Sequence, residues 1–308
     1  MTGLPALLLV KGVALGLWGG DADYPALVDE IAALGADHVS LVVAWRQRDV
    51  RASELAPGPL PDDALRVVIR AAHRARLRVL LFPIVDVEHR SDKEWRGTLA
   101  PVDIEAWWAS YERFILHYAA IAADEHVELY SVGSELCSTE AWRDRWYHLI
   151  GRVERLYPGP LVYSANWDHF EPVSFWERVA YVGVTGYFEL ARAAGASEAD
   201  MTAAWRAARR RLAAFAAKAR KPLLLTEVGY PSREGGAARP WDYTSRAAID
   251  VEEQRRAYAA FVAAWRGEAA LAGVVFWDWT RPGGPGDGSY TPRGKPAEKI
   301  VRAYFASP

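Results

Sequence analysis

Two glutamates fall where a charge is least expected. Glu135 closes the apolar run Leu129-Tyr130-Ser131-Val132-Gly133-Ser134, and Glu227 closes Leu223-Leu224-Leu225-Thr226. A charge at the end of a buried strand is costly unless it has a partner or a purpose. Two carboxyl groups facing one cleft can divide acid and base work. One protonates a departing oxygen while the other attacks the substrate or activates water, and glycoside hydrolysis needs both. The plainer alternative is a pair of structural carboxylates braced by rim arginines; the aromatic residues flanking both glutamates favour chemistry.

The ends of the other apolar runs carry compatible residues. In chain order they are Trp18, Trp45-Arg46-Gln47, Asp86, Glu135, Asn166-Trp167-Asp168, Tyr187, Glu227 and Trp277-Asp278-Trp279. The set is rich in carboxylates, amides and indoles and poor in lysine, cysteine and histidine. Aromatic faces stack on the C–H faces of sugar rings, and carboxylates and amides bind their hydroxyls. Asp86 and Glu88 either take that role or brace Arg90 or Arg96. Cys137, two residues past Glu135, is expected to pack beneath the rim.

Elements that could gather these residues recur along the chain. The expected strands are Val10–Trp18, His38–Ala44, Arg78–Pro83, Val127–Ser134, Leu161–Ala165, Tyr181–Gly186, Leu223–Thr226 and Gly273–Phe276, with the first apolar stretch starting near Leu7. Runs such as Val79-Leu80-Leu81-Phe82 suit strands covered on both faces. The expected helices are Asp23–Leu34, Asp62–Arg76, Asp103–Ala123, Thr139–Tyr157, Glu198–Ala219, Val251–Trp265 and Pro296–Phe305, and the stretch between the fifth and sixth strands is only weakly helical. Eight strands alternating with helices predict an α/β chain folded as a (β/α)8 TIM barrel, one domain over residues 1–308. In a barrel, residues just past each strand line one mouth, across which the fourth and seventh strands face each other. A doubly wound open sheet would carry a glycine-rich phosphate turn and a helix behind its first strand, and Gly16-Leu17-Trp18-Gly19-Gly20 does not supply them.

Composition narrows the partners. With 37 basic and 39 acidic residues the net charge of −2 gives no electrostatic reason to expect nucleic acid or an anionic membrane. One cysteine forms no intrachain disulfide, and the seven scattered histidines offer no metal-ligand spacing. Lys11 interrupts the N-terminal apolar run and no small-residue cleavage site follows it, so the run reads as a strand and not a signal peptide. The compartment stays open, cytoplasmic unless a leader has been removed.

Gly133-Ser134-Glu135-Leu136 and Thr226-Glu227-Val228-Gly229-Tyr230 are similar to the acid/base and nucleophile segments of the large barrel clan of retaining glycosidases. More narrowly, the chain resembles glycoside hydrolase family 113, known for β-1,4-mannanase activity. The similarity runs nearly end to end through Trp45-Arg46-Gln47, Trp95-Arg96-Gly97, Tyr163-Ser164-Ala165-Asn166-Trp167 and Phe276-Trp277-Asp278-Trp279, followed by Lys295-Pro296-Ala297. The resemblance implies that Glu135 is the acid/base, Glu227 the nucleophile, Tyr187 a hydrogen-bond donor to that nucleophile, and Trp277 the floor of the subsite beside the cleaved bond. The substrate-binding set is then expected to include Trp18, Trp45, Arg46, Gln47, Asp86, Trp95, Arg96, Ser134, Asn166, Trp167, Trp277 and Asp278. Ser134 stands where most of the clan has asparagine for the sugar 2-hydroxyl, and Thr185 where many relatives are acidic.

The expectation is therefore a retaining glycosidase acting on β-linked hexosides, with mannan-type chains favoured and neither metal nor organic cofactor required. The competing classes are a carbohydrate-binding protein on a hydrolase scaffold, a glycosidase of other β-hexoside specificity, and a barrel enzyme using a metal or a phosphate-bearing substrate. Glu135 is expected to have its pKa raised, and Glu227 to stay ionised beside Tyr187 and Arg46. Oligomeric state and endo or exo action are left open.

Overall fold

The computed structural model describes residues 9–20 and 22–307. Eight parallel strands close into a barrel: β1 (Val10–Gly16), β2 (His38–Gln47), β3 (Arg78–Val87), β4 (Leu129–Ser134), β5 (Leu161–Ala165), β6 (Val182–Thr185), β7 (Leu223–Val228) and β8 (Leu271–Phe276). Each pairs with the next, and β8 returns to β1 through Val10↔Gly273 to Val13↔Phe276. The expected start near Leu7 lies outside the described residues.

Seven α-helices cover the strands among the described residues: α1 (Tyr24–Ala33), α2 (Asp62–Arg74), α3 (Ile104–Asp124), α4 (Arg143–Leu156), α5 (Glu198–Ala219), α6 (Val251–Trp265) and α7 (Pro296–Ala306). Their starts follow from capping chemistry. Asp23, Asp103, Ser197 and Asp250 each accept a backbone N–H from the first turn of their helix, satisfying a donor the helix cannot. The weakly helical stretch between β5 and β6 forms only a short 3-10 turn at Trp176–Arg178. Helix α4 begins at Arg143, later than expected, because Cys137–Thr139 forms a separate 3-10 turn.

Strand alternation sorts the core into two. Val42, Ala44, Leu80, Phe82, Leu129, Val162, Leu224 and Val275 fill the barrel interior, with Trp277 packed against that cluster. Their neighbours Val43, Leu81, Tyr130, Tyr163, Leu225 and Phe276 face the helices. Burying an aliphatic or aromatic side chain contributes about 1.5–3 kcal/mol, so these two layers are the main source of the rigidity that holds the mouth.

Three strands end later than the sequence suggests: β2, β3 and β7, which reaches Val228 and so includes Glu227. The β2–β3 ladder continues through Ala44↔Ile84, Trp45↔Val85, Arg46↔Asp86 and Gln47↔Val87. Residues expected just beyond the strand ends are thus inside the ladder, where successive side chains point to opposite faces.

Candidate active site

Both glutamates stand at breaks in their ladders. The β4–β5 register shifts between Ser131 and Ser134, and the β7–β8 register shifts between Leu225 and Val228. A bulge places one extra residue in a strand and re-aims the side chain that follows. In β4 the extra position is Gly133. A Cβ there would lie 2.5 Å from the Tyr111 hydroxyl and 3.2 Å from the Trp146 and Tyr163 rings, so it points into the helix layer like Val132. Ser134 and Glu135 then follow with the strand's phase reset. In β7, Thr226 faces inward, its hydroxyl 2.6 Å from that of Ser164 across the barrel, and Val228 packs among the helices. Glu227 lies between them.

Glu135 is buried and adopts φ +56°, a left-handed conformation that costs a non-glycine residue about 1–2 kcal/mol. Its own N–H donates to the Ser164 carbonyl at 2.7 Å, and the next N–H, on Leu136, donates to the Tyr163 hydroxyl at 2.9 Å. Two anchored peptides therefore hold the strained residue from both sides. The Glu135 carboxyl accepts from Arg96 Nη1 at 3.1 Å, and the neighbouring Thr185 hydroxyl, which accepts the Trp167 N–H, favours its ionised form.

Glu227, also buried, accepts from the Tyr187 hydroxyl at 2.7 Å. Burial and the facing Glu135 charge push its carboxyl up to about 8, opposed by Arg96 and the Tyr187 bond. Burial raises Glu135 as well, against the pull of Arg96. Two like carboxyls in one dry site share a proton near neutrality. Asp278, half-buried on the β8 side, is pushed up to about 7 by burial, with Lys295 pulling it down and Asp287 pushing it up. Arg46 does not reach Glu227; its Nη1 pairs with Glu88 at 3.3 Å. The cation at the glutamates is Arg96, also tied through Nε to the Val85 carbonyl at 3.3 Å.

The remaining expected residues divide by strand phase. Arg46 and Asp86 share the inward phase of Val42, Ala44, Phe82 and Ile84 and are partners in the ladder. Trp45 and Gln47 have the opposite phase, and the structure does not place them on the cleft. The Trp45 ring stacks on Phe114 of α3 at 5.2 Å. Gln47 is fully buried, accepting from Trp107 Nε1 at 2.8 Å and donating to the Asp49 and Ala52 carbonyls. Trp167 also departs from the expected arrangement, meeting Phe188 edge-on and packing against the helix-side core.

Trp18 lies past the end of β1 and remains 45% exposed. Its indole covers the inward side of Gly16, where a Cβ would come within 2.2 Å of Nε1. Trp95 folds in the same way over Gly97, in the loop that carries Arg96. Asn166 donates to Asp168 at 2.6 Å, and the buried Ser134 hydroxyl has no hydrogen-bond partner among the described residues. Trp277 caps the barrel interior between the strand carrying Glu227 and β1.

Known proteins share this fold along nearly the whole chain. The model of Glycoside Hydrolase Family 113 covers residues 16–285. The chain belongs to that family. It is 30% identical to the GH113 β-mannanase AaManA from Alicyclobacillus acidocaldarius, solved in complex with ManMIm, with 98% of each chain covered and a TM-score of 0.88. A second GH113 β-1,4-mannanase structure is 26% identical over 98% of this chain and all of that one, with a TM-score of 0.86. A Faecalibacterium prausnitzii β-glucuronidase shares the fold at 16% identity and a TM-score of 0.66, this chain spanning 49% of its length. No curated protein matches. The family member described here is thus a glycoside hydrolase on a (β/α)8 barrel.

Sequence reasoning missed the support beneath the glutamates. Thr185, noted in the sequence only as standing where many relatives are acidic, lies beside Glu135 and favours its ionised form. Cys137, Glu140 and His169 bring a sulfur, a carboxylate oxygen and a ring nitrogen within 4.8 Å of one another, a grouping no short sequence spacing reveals. Both Glu140 oxygens are already engaged, by Tyr163 at 2.6 Å and His169 at 2.7 Å, and burial raises the Cys137 thiol. No described helix is long and apolar enough to cross a membrane.

Proposed function

We propose that this glycoside hydrolase cleaves β-1,4-mannan or manno-oligosaccharides by double displacement, with Glu227 as nucleophile and Glu135 as acid/base. The observation that carries the proposal is the asymmetric pair. Two buried glutamates at ladder bulges face each other across β4 and β7, Glu227 held by a tyrosine hydroxyl and Glu135 by an arginine. The two GH113 relatives, both β-mannanases, favour the same substrate class.

In the first step a Glu227 oxygen attacks the anomeric carbon as the glycosidic C–O bond breaks, and the Glu135 proton passes to the departing oxygen. Water then gives a proton back to Glu135 and attacks the same carbon, releasing Glu227. The chemistry requires one proton on the pair and charge on Glu227. In the free protein Arg96 favours charge on Glu135, so a glycosidic oxygen accepting a bond from Glu135 is what draws the proton to that side. Tyr187, bonded to one Glu227 oxygen, leaves the other for attack. Trp277 forms the floor beneath the reacting sugar, and Trp18 and Trp95 extend the walls. Arg46, Asp86, Asn166 and Asp278 supply hydroxyl partners, and the unpartnered Ser134 hydroxyl is the donor nearest in sequence to the acid/base for a sugar 2-hydroxyl.

Incubation with β-1,4-manno-oligosaccharides and cello-oligosaccharides of matched length, with product sizing, tests the substrate. Cleavage of the manno-series alone is expected. Turnover of neither series by a folded preparation would instead favour a carbohydrate-binding role, and faster cleavage of the cello-series would move the specificity to glucose.

A further inference from the structure

We propose that Glu140, acting through the Tyr163 hydroxyl, is a positioning residue that fixes the Glu135 carboxyl for proton transfer; the inference rests on the acid/base role given to Glu135 above. Glu140 is completely buried, and its two oxygens accept from Tyr163 at 2.6 Å and His169 Nδ1 at 2.7 Å. Tyr163 in turn accepts the Leu136 N–H at 2.9 Å, one peptide beyond Glu135. The Glu140 carbonyl is bound by the Ser174 N–H and hydroxyl, which tie this loop to the crossover between β5 and β6. The two bonds through Tyr163 make one chain from a buried carboxylate to the peptide that follows the strained Glu135.

The direction of the chain is set at its Leu136 end. A hydroxyl can donate once and accept, whereas a backbone N–H only donates. Tyr163 must therefore point its proton at Glu140, which leaves a lone pair for Leu136. With His169 protonated on Nδ1 a glutamine could not satisfy both neighbours, because Tyr163 and His169 would then each present a hydrogen and one of them would meet the amide N–H2. With Tyr163 turned the other way, the Leu136 N–H loses its acceptor and the left-handed conformation of Glu135 loses one of its two anchors. Glu140, Tyr163 and Leu136 are all buried, so their effect on catalysis passes through Glu135.

The expected signature is a loss of acid assistance alone. For Glu140→Gln and Tyr163→Phe, kcat/KM on manno-oligosaccharides, whose leaving group needs a proton, is expected to fall about tenfold or more, part of the roughly 10²–10⁴-fold that a positioned acid contributes. With a dinitrophenyl β-mannoside, whose leaving group needs none, kcat/KM is expected to stay within about threefold of wild type, on the same reasoning. Tyr163→Phe keeps the ring against Trp146 and Phe175 and decides the matter should Glu140→Gln fail to fold. Folded variants that lose both substrates equally, or neither, overturn the inference. Glu135→Ala is the control. If it spares the dinitrophenyl substrate while the relay variants do not, only the relay falls; if it does not, the assignment of Glu135 falls and the relay with it.

Discussion

Replacing Arg96 by methionine removes the cation that Glu135 touches while keeping the stem of the side chain. The contact is 3.1 Å, and Arg96 lowers both glutamates. Two unit charges 4 Å apart near a protein surface interact by about 4 kcal/mol at an effective dielectric of 20. The Arg96 side chain is 26% exposed, and solvent screening reduces that figure to about 1–2 kcal/mol. One pKa unit corresponds to about 1.4 kcal/mol, so each macroscopic pKa of the pair is expected to rise by roughly one unit. The sign follows from the charge: loss of a cation disfavours both ionised carboxylates. Activity needs the singly protonated pair, so the whole bell of kcat/KM against pH is expected to move toward alkaline pH, its upper limb starting from near 8 in the wild type. Arg96→Lys retains the charge and is expected to leave the limbs in place. The assay is kcat/KM on a manno-oligosaccharide at closely spaced pH values, with melting temperature confirming the fold. A bell that stays put in folded Arg96→Met, or moves to lower pH, would refute the electrostatic account of the pair.

Trp277→Ala is expected to lower kcat as well as raise KM, because stacking worth about 0.5–1.5 kcal/mol beyond buried area should strengthen as the sugar ring flattens. Trp45→Ala, which loses packing on Phe114, is expected to lower stability by about 2 kcal/mol and leave KM unchanged, as melting and kinetics on one preparation will show. Glu227→Gln should raise the melting temperature at pH 9 more than at pH 5. The folded carboxyl, at about 8, lies above its unfolded value, so the folded state holds the extra proton and loses stability as pH rises through that window. Gly133→Ala places a methyl against the Tyr111 hydroxyl and is expected to cost about 1–3 kcal/mol by denaturant unfolding while reducing activity through the misplaced bulge.

The barrel was legible because its strands are continuous apolar runs covered on both sides, and the capped helix starts at Asp23, Asp103 and Asp250 punctuate them. The mouth was partly legible for the same reason: a polar residue that ends such a run has one place to go. The limit came from strand length. Nothing in Ala44-Trp45-Arg46-Gln47 says that the ladder with β3 continues, and with period-two alternation that continuation turns Trp45 and Gln47 away from the cleft. Gly133 was a visible sign of a bulge, since glycine inside a strand often marks one, whereas the matching break before Val228 has no glycine to announce it. The Glu140–Tyr163–Leu136 chain was invisible because its members meet only after β4 and β5 pair. Arg96 reaches Glu135 from 39 residues away in sequence, which no local pattern encodes.

Covalent trapping tests the central claim most directly. A 2-deoxy-2-fluoro-β-mannosyl fluoride slows the second displacement, so a retaining enzyme accumulates its glycosyl ester. After incubation, peptide mass spectrometry is expected to find one fluoromannosyl group per chain, attached to Glu227. An enzyme that hydrolyses manno-oligosaccharides yet takes up no label, or carries it on Glu135 or any other residue, would contradict the assignment of nucleophile and acid/base made here.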